Sequence, residues 1–435
     1  MSREPEASAY EAAVQSLFAR RPEHMAPGLE RITALCAALG EPQLTYPSVH
    51  ITGTNGKTTL ARMVAGLLQA HDQTTGTYTS PHLQDVRERL CLNGEPITRG
   101  AFVALLDALA GPIAGVERER GEMVSFFETL TALAYELFAG ARVDAGVFEV
   151  GMGGRWDATN LVRAPVALIN TVAQDHPELG ATVTDVAREK AGIIKDGAVV
   201  VAGEQQPAAA AVIAAEARAR AATVLRAGED FGVEALRAVH DGQMVVLRTP
   251  GGVTVDVPLP LHGAHQADNA ACALAAVEAF LGVPVDPGRV RAGLGRVRSP
   301  GRLQRVVRPG QPDVVLDGAH NPHAARALAA ALPRVTGGRR LTLVLGVLGD
   351  KDVESLVREL LGVAEDVVVT QPASSRAAPA DRLAKAVRLA GRAVHVAEDV
   401  PAALAAATGL AGETGVVVVT GSLYTVGEAK TALGA

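Results

Sequence analysis

The stretch HITGTNGKTT, residues 50–59, decides how this chain folds. Val49 and Ile51 form an apolar approach, Gly53 and Gly56 interrupt it, and after Lys57 the residues Leu60, Met63, Val64, Leu67 and Leu68 recur at helical spacing. The pattern reads as strand, loop, helix. Lacking Cβ atoms, Gly53 and Gly56 let a phosphate approach the backbone, whose N–H groups add to the partial positive charge of a helix N-terminus. Lys57 suits the β and γ phosphates, and the Thr58 hydroxyl suits magnesium. A nucleoside triphosphate site is expected here. The general phosphate-loop pattern carries a glycine where Ile51 stands, which leaves a Gly/Thr/Asn turn capping an ordinary helix as the alternative.

Composition bounds the rest. The chain has 435 residues, enough for two or three domains with their own cores, and its 48% hydrophobic and 20% charged residues are those of a globular protein. A net charge of −6 and 3% aromatic residues argue against a nucleic-acid partner. No continuous apolar run reaches the roughly 18 residues of a membrane span, and the opening MSREPEASAYEAAVQ lacks the apolar core of a secretion signal. No membrane association and a cytoplasmic location are therefore expected. Cys36, Cys91 and Cys272 lack the pairing and spacing of a disulfide framework or a zinc site. Of the 41 basic residues, only Lys57, Lys190, Lys195, Lys351, Lys385 and Lys430 are lysine. A lysine inside a motif is thus a candidate for chemistry that a guanidinium cannot perform.

Along the chain, residues 1–40 read as helices with the stripe Leu29, Ile32, Leu35 and Leu39. After the phosphate loop, 77–79 is strand-like and Ser80-Pro81 makes a turn. Helices are expected over 101–110 and 125–139, then a buried strand over 145–150 that runs into EVGMGGRWDATN. A carboxylate at such a strand tip, here Glu149, is where doubly wound α/β proteins place ligand groups. A second strand, 166–171, brings His176 to the same edge as a possible metal ligand. Short β runs at 245–247 and 253–257 suggest an antiparallel excursion, and a helix over 269–280 returns to the main body. Proline, glycine and arginine concentrate in RSPGRLQRVVRPGQP, so the domains are placed at 1–298 and 313–435, with 299–312 as linker and hinge. Beyond it strands and alanine-rich helices alternate. The fold class is α/β: a P-loop-type, mostly parallel sheet with helices on both faces and a small antiparallel excursion, plus a smaller Rossmann-like C-terminal domain.

Taken together, the motifs resemble the dihydrofolate synthase and folylpolyglutamate synthase branch of the Mur-type ATP-dependent amide ligases. The matching pieces are TGTNGKTT (52–59), YTSPHL with RERL and NG (78–94), FFETLTALA (126–134), EVGMGGRWDATN (149–160), DH (175–176), REKAGIIK (188–195), HGAHQADNAACALAA (262–276), PGRLQ (300–304), LDGAHNPHAARALA (316–329), GDKD (349–352) and VTGSLYTVGEAK (419–430). They span nearly the whole chain in family order. One departure stands out: Thr58-Thr59 replaces the branch's usual glycine and serine and looks like the cell-wall branch.

The resemblance implies ATP between the domains, with Gly53, Thr54, Asn55, Gly56, Lys57, Thr58 and Thr59 around its phosphates and Asn269, Arg302 and Asp317 contacting it elsewhere. It implies magnesium at two sites, with Ser80, Glu149 and His176 as ligands and Lys190 carrying a carbamate that bridges toward the second metal. Ser125, Phe126, Phe127, Glu128, Trp156, Asp157 and Ala158 match stretches lining a pterin pocket. Lys57, Lys190 and His320 are the implied catalytic residues, with His320 or Asp317 orienting phosphate or the incoming amine and Lys351 a further contact. The implied reaction joins L-glutamate to dihydropteroate, to a reduced folate or to both, in a monomer. The alternatives are a cell-wall ligase acting on a UDP-muramoyl substrate, and a nucleotide-binding switch without ligase chemistry.

Overall fold

The computed structural model describes residues 3–21, 27–174 and 177–435. It divides into two compact units, Met1–Leu236 with Met244–Leu259 and Ala267–Val297, and Arg298–Ala435 with Arg237–Gln243 and Pro260–Gln266.

The first unit is built on eight strands: β1 Ser48–Thr52, β2 Thr75–Tyr78, β3 Leu90–Leu92, β4 Glu95–Pro96, β5 Ala145–Glu149, β6 Val166–Ile169, β7 Val199–Ala202 and β8 Thr223–Arg226. Their order across the sheet is β4-β3-β2-β5-β1-β6-β7-β8. From β2 to β8 all neighbours are parallel, while β3 and β4 add an antiparallel edge. The central strand β1 is buried along its whole length, as a strand covered on both faces must be. Its parallel neighbours set which residues share a face: His50 stands in register with Phe148 on β5 and Ala167 on β6.

The helix Lys57–Ala70 follows β1 and packs on β2 and β5. Phe126–Ala141 packs on β2 from the opposite face, where its Phe138 ring occupies the space a Cβ at Gly76 would need. The few aromatic residues concentrate here. Fully buried Phe148 has ring contacts at 5.4 to 6.4 Å with Tyr46, Tyr78, Tyr135 and Phe138. Phe148→Ala is accordingly expected to destabilise the chain by about 3–5 kcal/mol. Urea unfolding will show this as a lower midpoint at an unchanged slope.

The antiparallel excursion has three strands rather than two, β9 Gly232–Val239, β10 Gly242–Arg248 and β11 Thr254–Leu259, in the order β11-β10-β9. The first is mostly exposed, so apolar alternation gave no signal for it. The helix expected over 101–110 extends across Arg99–Arg120 with Pro112 inside it. This helix is long and apolar enough to cross a membrane by length and composition, yet its Phe102, Leu109, Ile113 and Val116 belong to the aromatic core cluster.

The second unit holds β12 Gln304–Val306, β13 Asp313–Leu316, β14 Leu341–Leu345, β15 Asp366–Val369, β16 His395–Val396 and β17 Val416–Thr420, in the order β12-β13-β17-β14-β15-β16. All pairs are parallel except β12 with β13. The stretch read as a linker, 299–312, therefore contributes an edge strand. Three residues flanked by arginine and proline are too few to show a strand's alternation.

Candidate active site

The phosphate loop leaves β1 with Gly53 at φ +151° and Gly56 at φ +81°. A Cβ at Gly53 would lie 2.7 Å from Asn170 Cβ, and one at Gly56 would lie 2.9 Å from Asn170 Nδ2 and 3.0 Å from Asn269 Oδ1. Both positions thus demand glycine, by backbone angle and by space. Asn170, at the end of β6, donates through Nδ2 to the Asn55 carbonyl and to Asn269 Oδ1, each at 3.0 Å. Asn269 was expected at the start of a helix; the helix runs Ala264–Leu281, which places Asn269 within it and against the loop. Asn170 went unnoticed in the sequence, where the one signal was a polar residue ending an apolar strand. Thr54 Oγ1 closes the loop on the Ala173 carbonyl at 3.1 Å.

Three candidates meet at the tip of β5. Thr58 Oγ1 donates to Glu149 Oε1 at 2.9 Å, and the Ser80 backbone N–H donates to Glu149 Oε2 at 2.9 Å. Glu149 is 1% exposed. The unusual Thr58-Thr59 pair is accommodated: Thr58 presents its hydroxyl to the carboxylate and Thr59 is buried. The two lysines converge beside this group. Lys57 Nζ donates to the Gly53 carbonyl at 2.9 Å, and Lys190 Nζ, from the helix Val183–Ala191, donates to the same oxygen at 3.0 Å. Two ammonium groups on one carbonyl bring two cationic side chains to the start of the phosphate loop.

His176 and Asp175 lie outside the described residues. Among the described residues, no group of three or more His, Cys, Asp and Glu side chains gathers as a metal site. The oxygen donors of Glu149 and Thr58 nonetheless fit magnesium, which takes one or two carboxylates and completes its shell with water and substrate phosphate.

The two stretches assigned to a pterin pocket adjoin. Ser125 caps the helix Phe126–Ala141: its hydroxyl accepts from Glu128 N–H at 3.3 Å, and Glu128 Oε2 accepts from Ser125 N–H at 2.8 Å. Glu128 also pairs with Arg31 at 3.1 Å. Phe126 packs into the aromatic core, while Phe127 fills the space beside Gly151 at 2.6 Å from where a Cβ would stand. On the loop itself Trp156 is partly buried and Ala158 buried. Asp157 accepts through Oδ2 from Met152 N–H at 3.0 Å and through Oδ1 from Thr159 N–H at 3.0 Å. Burial pushes its carboxyl up, against the pull of these donors. Asp157 therefore serves first to shape the loop. Lys195, unassigned from sequence, bonds Asn160 at its carbonyl and Oδ1, 2.6 and 2.8 Å away, and burial lowers its ammonium to about 8.

In the second unit, Asp317 directly follows β13 and is buried, accepting from Leu303 N–H at 2.8 Å and Ala319 N–H at 2.9 Å. Burial raises its carboxyl and the Arg302 charge opposes that rise. His320 Nδ1 lies 2.9 Å from the Gly318 carbonyl, and Lys351 pairs with Asp350 at 3.0 Å. Arg302, Asp317 and His320 thus share one loop region, apart from Lys351's own ion pair.

Comparison with known proteins identifies the family. The Mur ligase middle domain matches residues 104–277, and the Mur ligase glutamate ligase domain matches residues 301–423. The dihydrofolate synthase/folylpolyglutamate synthase of Mycobacterium tuberculosis is 46% identical over 378 residues, 83% of this chain and 77% of the relative. The chain belongs to the dihydrofolate synthase/folylpolyglutamate synthase branch of the Mur ligases. A crystal structure of M. tuberculosis folylpolyglutamate synthase with ADP and AMPPCP superposes with a TM-score of 0.93 at 43% identity, covering 99% of each chain. A folylpolyglutamate synthase complex with AMPPCP and folate gives 0.86 at 31% identity, covering 98% of this chain and 99% of that one. These likenesses favour the folate branch over the cell-wall branch that Thr58-Thr59 suggested. The fold class read from the sequence, a mostly parallel α/β sheet with a separate C-terminal α/β domain, is the one found in these ligases.

Proposed function

We propose that the chain is an ATP-dependent ligase that joins L-glutamate to dihydropteroate, to the γ-carboxylate of a reduced folate, or to both. The observation that carries this reading is the convergence of Lys57 and Lys190 on the Gly53 carbonyl beside the Glu149, Thr58 and Ser80 cluster. It is a site shaped for a polyanion at a helix N-terminus. Relatives whose structures hold ADP, AMPPCP and folate support ATP as the nucleotide and a folate-type acceptor.

A carboxylate is too poor an electrophile to react with an amine directly. Its oxygen attacks the γ-phosphorus of ATP, the bond to ADP breaks, and an acyl phosphate forms. The amine of glutamate then adds to the acyl carbon, phosphate leaves with the former carboxylate oxygen, and the amine proton is lost. Most of the catalysis is placement and charge neutralisation. Lys57 and the amides of Asn55 to Thr59 hold the phosphates, with Asn269, through Asn170, fixing the loop they come from. Arg302 and Asp317 are assigned to the nucleotide, and His320 to the phosphate or the incoming glutamate. Ser125 to Glu128 and Trp156 to Ala158 receive the pterin end of the acceptor. Glu149, Ser80, Thr58 and His176 are the candidate holders of magnesium, which when bound neutralises phosphate charge.

The functional test is phosphate release with dihydropteroate and tetrahydrofolate offered side by side. Turnover is expected to require one of these acceptors together with L-glutamate. Turnover only with a UDP-muramoyl acceptor, or with none, would overturn the assignment. For the metal, Glu149→Gln is expected to raise the magnesium concentration for half-maximal activity about 10- to 100-fold. A titration curve superimposing on that of the wild type would remove Glu149 from the metal site.

A further inference from the structure

Two hydrogen bonds tie the phosphate-loop strand to the glycine-rich loop that follows β5. Thr52 Oγ1 donates to the Gly153 carbonyl at 2.8 Å, and His50 Nε2 lies 2.8 Å from Thr159 Oγ1. His50 and Thr52 share one face of β1, because side chains two residues apart on a strand point the same way. The loop folds over that face.

The bonds around Thr159 assign a direction to the His50 contact. The Thr159 hydroxyl donates its one hydrogen to Asp157 Oδ1 at 2.5 Å. Its oxygen is then left to accept, which puts the imidazole hydrogen on Nε2. Burial and the nearby Lys195 charge hold His50 well below the usual histidine range, so the ring is neutral and has one N–H to give. Nδ1 is buried with no hydrogen-bond partner among the described residues. A ring kept only for packing would leave this polar atom orphaned at a cost that an apolar side chain avoids. The Nε2–H bond is what the histidine contributes.

Beyond Thr159 the chain of bonds reaches Asp157, flanked by Trp156 and Ala158 in the stretch assigned to the acceptor. We propose that His50 is a positioning residue for the acceptor pocket: by donating to Thr159 it directs that hydroxyl onto Asp157 and so fixes the 151–158 loop against which the pterin end rests. This rests on the functional reading above. The phosphate loop itself does not depend on the His50 side chain, since the β1 backbone is held by ladders to β5 and β6 on both sides.

His50→Leu removes the donor at similar volume, Thr159→Val removes the relay, and His50→Gln places an amide N–H near the former Nε2. Trp156, the single tryptophan of the chain, reports the loop by fluorescence without any substrate. His50→Leu and Thr159→Val are expected to red-shift Trp156 emission and to raise the acceptor KM about tenfold at an unchanged ATP KM. His50→Gln is expected to restore both readouts. Wild-type emission and acceptor KM in His50→Leu would overturn the proposal, as would an equal rise in both KM values, or a His50→Gln no better than His50→Leu. Should His50→Leu not fold, Thr159→Val and His50→Gln decide by the same readouts. Should the wild type need no pteroate-type acceptor, the functional reading fails, and Trp156 emission alone decides whether His50 holds the loop.

Discussion

Replacing Lys57 with alanine is expected to lower kcat/KM for acceptor-dependent ATP turnover by on the order of 10²- to 10³-fold while leaving the fold intact. The ammonium belongs to a half-buried side chain at the first turn of its helix and, among the described residues, bonds the loop carbonyls of Gly53 and Thr54, at 2.9 and 3.3 Å. Its removal opens no core cavity, so stability should change by no more than about 0.5 kcal/mol. Thermal unfolding and steady-state kinetics on the same preparation separate the two effects. Lys57→Arg is expected to fail as well, because a planar fork cannot replace a compact point charge at the phosphates. A Lys57→Ala protein that turns over at the wild-type rate would show that the triphosphate is held elsewhere.

Lys190 is the second position of large effect. Its side chain is 1% exposed and its ammonium bonds the Gly53 carbonyl at 3.0 Å, on the same oxygen that Lys57 uses. Lys190→Arg keeps a positive charge but cannot form a stable carbamate, and it is expected to lose about 10²-fold in kcat. Lys190→Ala is expected to be as inactive; on the proposal that Lys190 carries a carbamate in the working enzyme, added acetate or formate stands in for that anion and restores part of the rate. An arginine variant with wild-type kcat would eliminate the carbamate.

The parts of this molecule that were legible in the sequence are those where one residue type has one physical use. Gly53 and Gly56 are required by backbone angle and by Asn170 and Asn269 beside them. Glu149 at the tip of an all-apolar strand stands where Thr58 and Ser80 reach it. Contacts that depend on tertiary register were not legible. Nothing near Asn170 in sequence announces that it will meet Asn55 and Asn269, 115 and 99 residues away. His50 sits inside the very stretch that decided the fold, yet its partner is 109 residues further on. Ser125 and Glu128 were readable as pocket residues only by resemblance, whereas their spacing is also that of a helix capping box, the role the structure shows. The edge strand β12 escaped notice because pairing with β13, not its own pattern, makes it a strand.

Oxygen-18 transfer tests the γ-phosphate step most directly. Dihydropteroate, or a reduced folate, labelled in the reacting carboxylate is turned over with ATP and L-glutamate, and the released phosphate is analysed by mass spectrometry. Activation at the Lys57 loop predicts that each phosphate carries one acceptor oxygen, because the carboxylate oxygen bonded to phosphorus leaves with it. Unlabelled phosphate released alongside the amide product would contradict that activation.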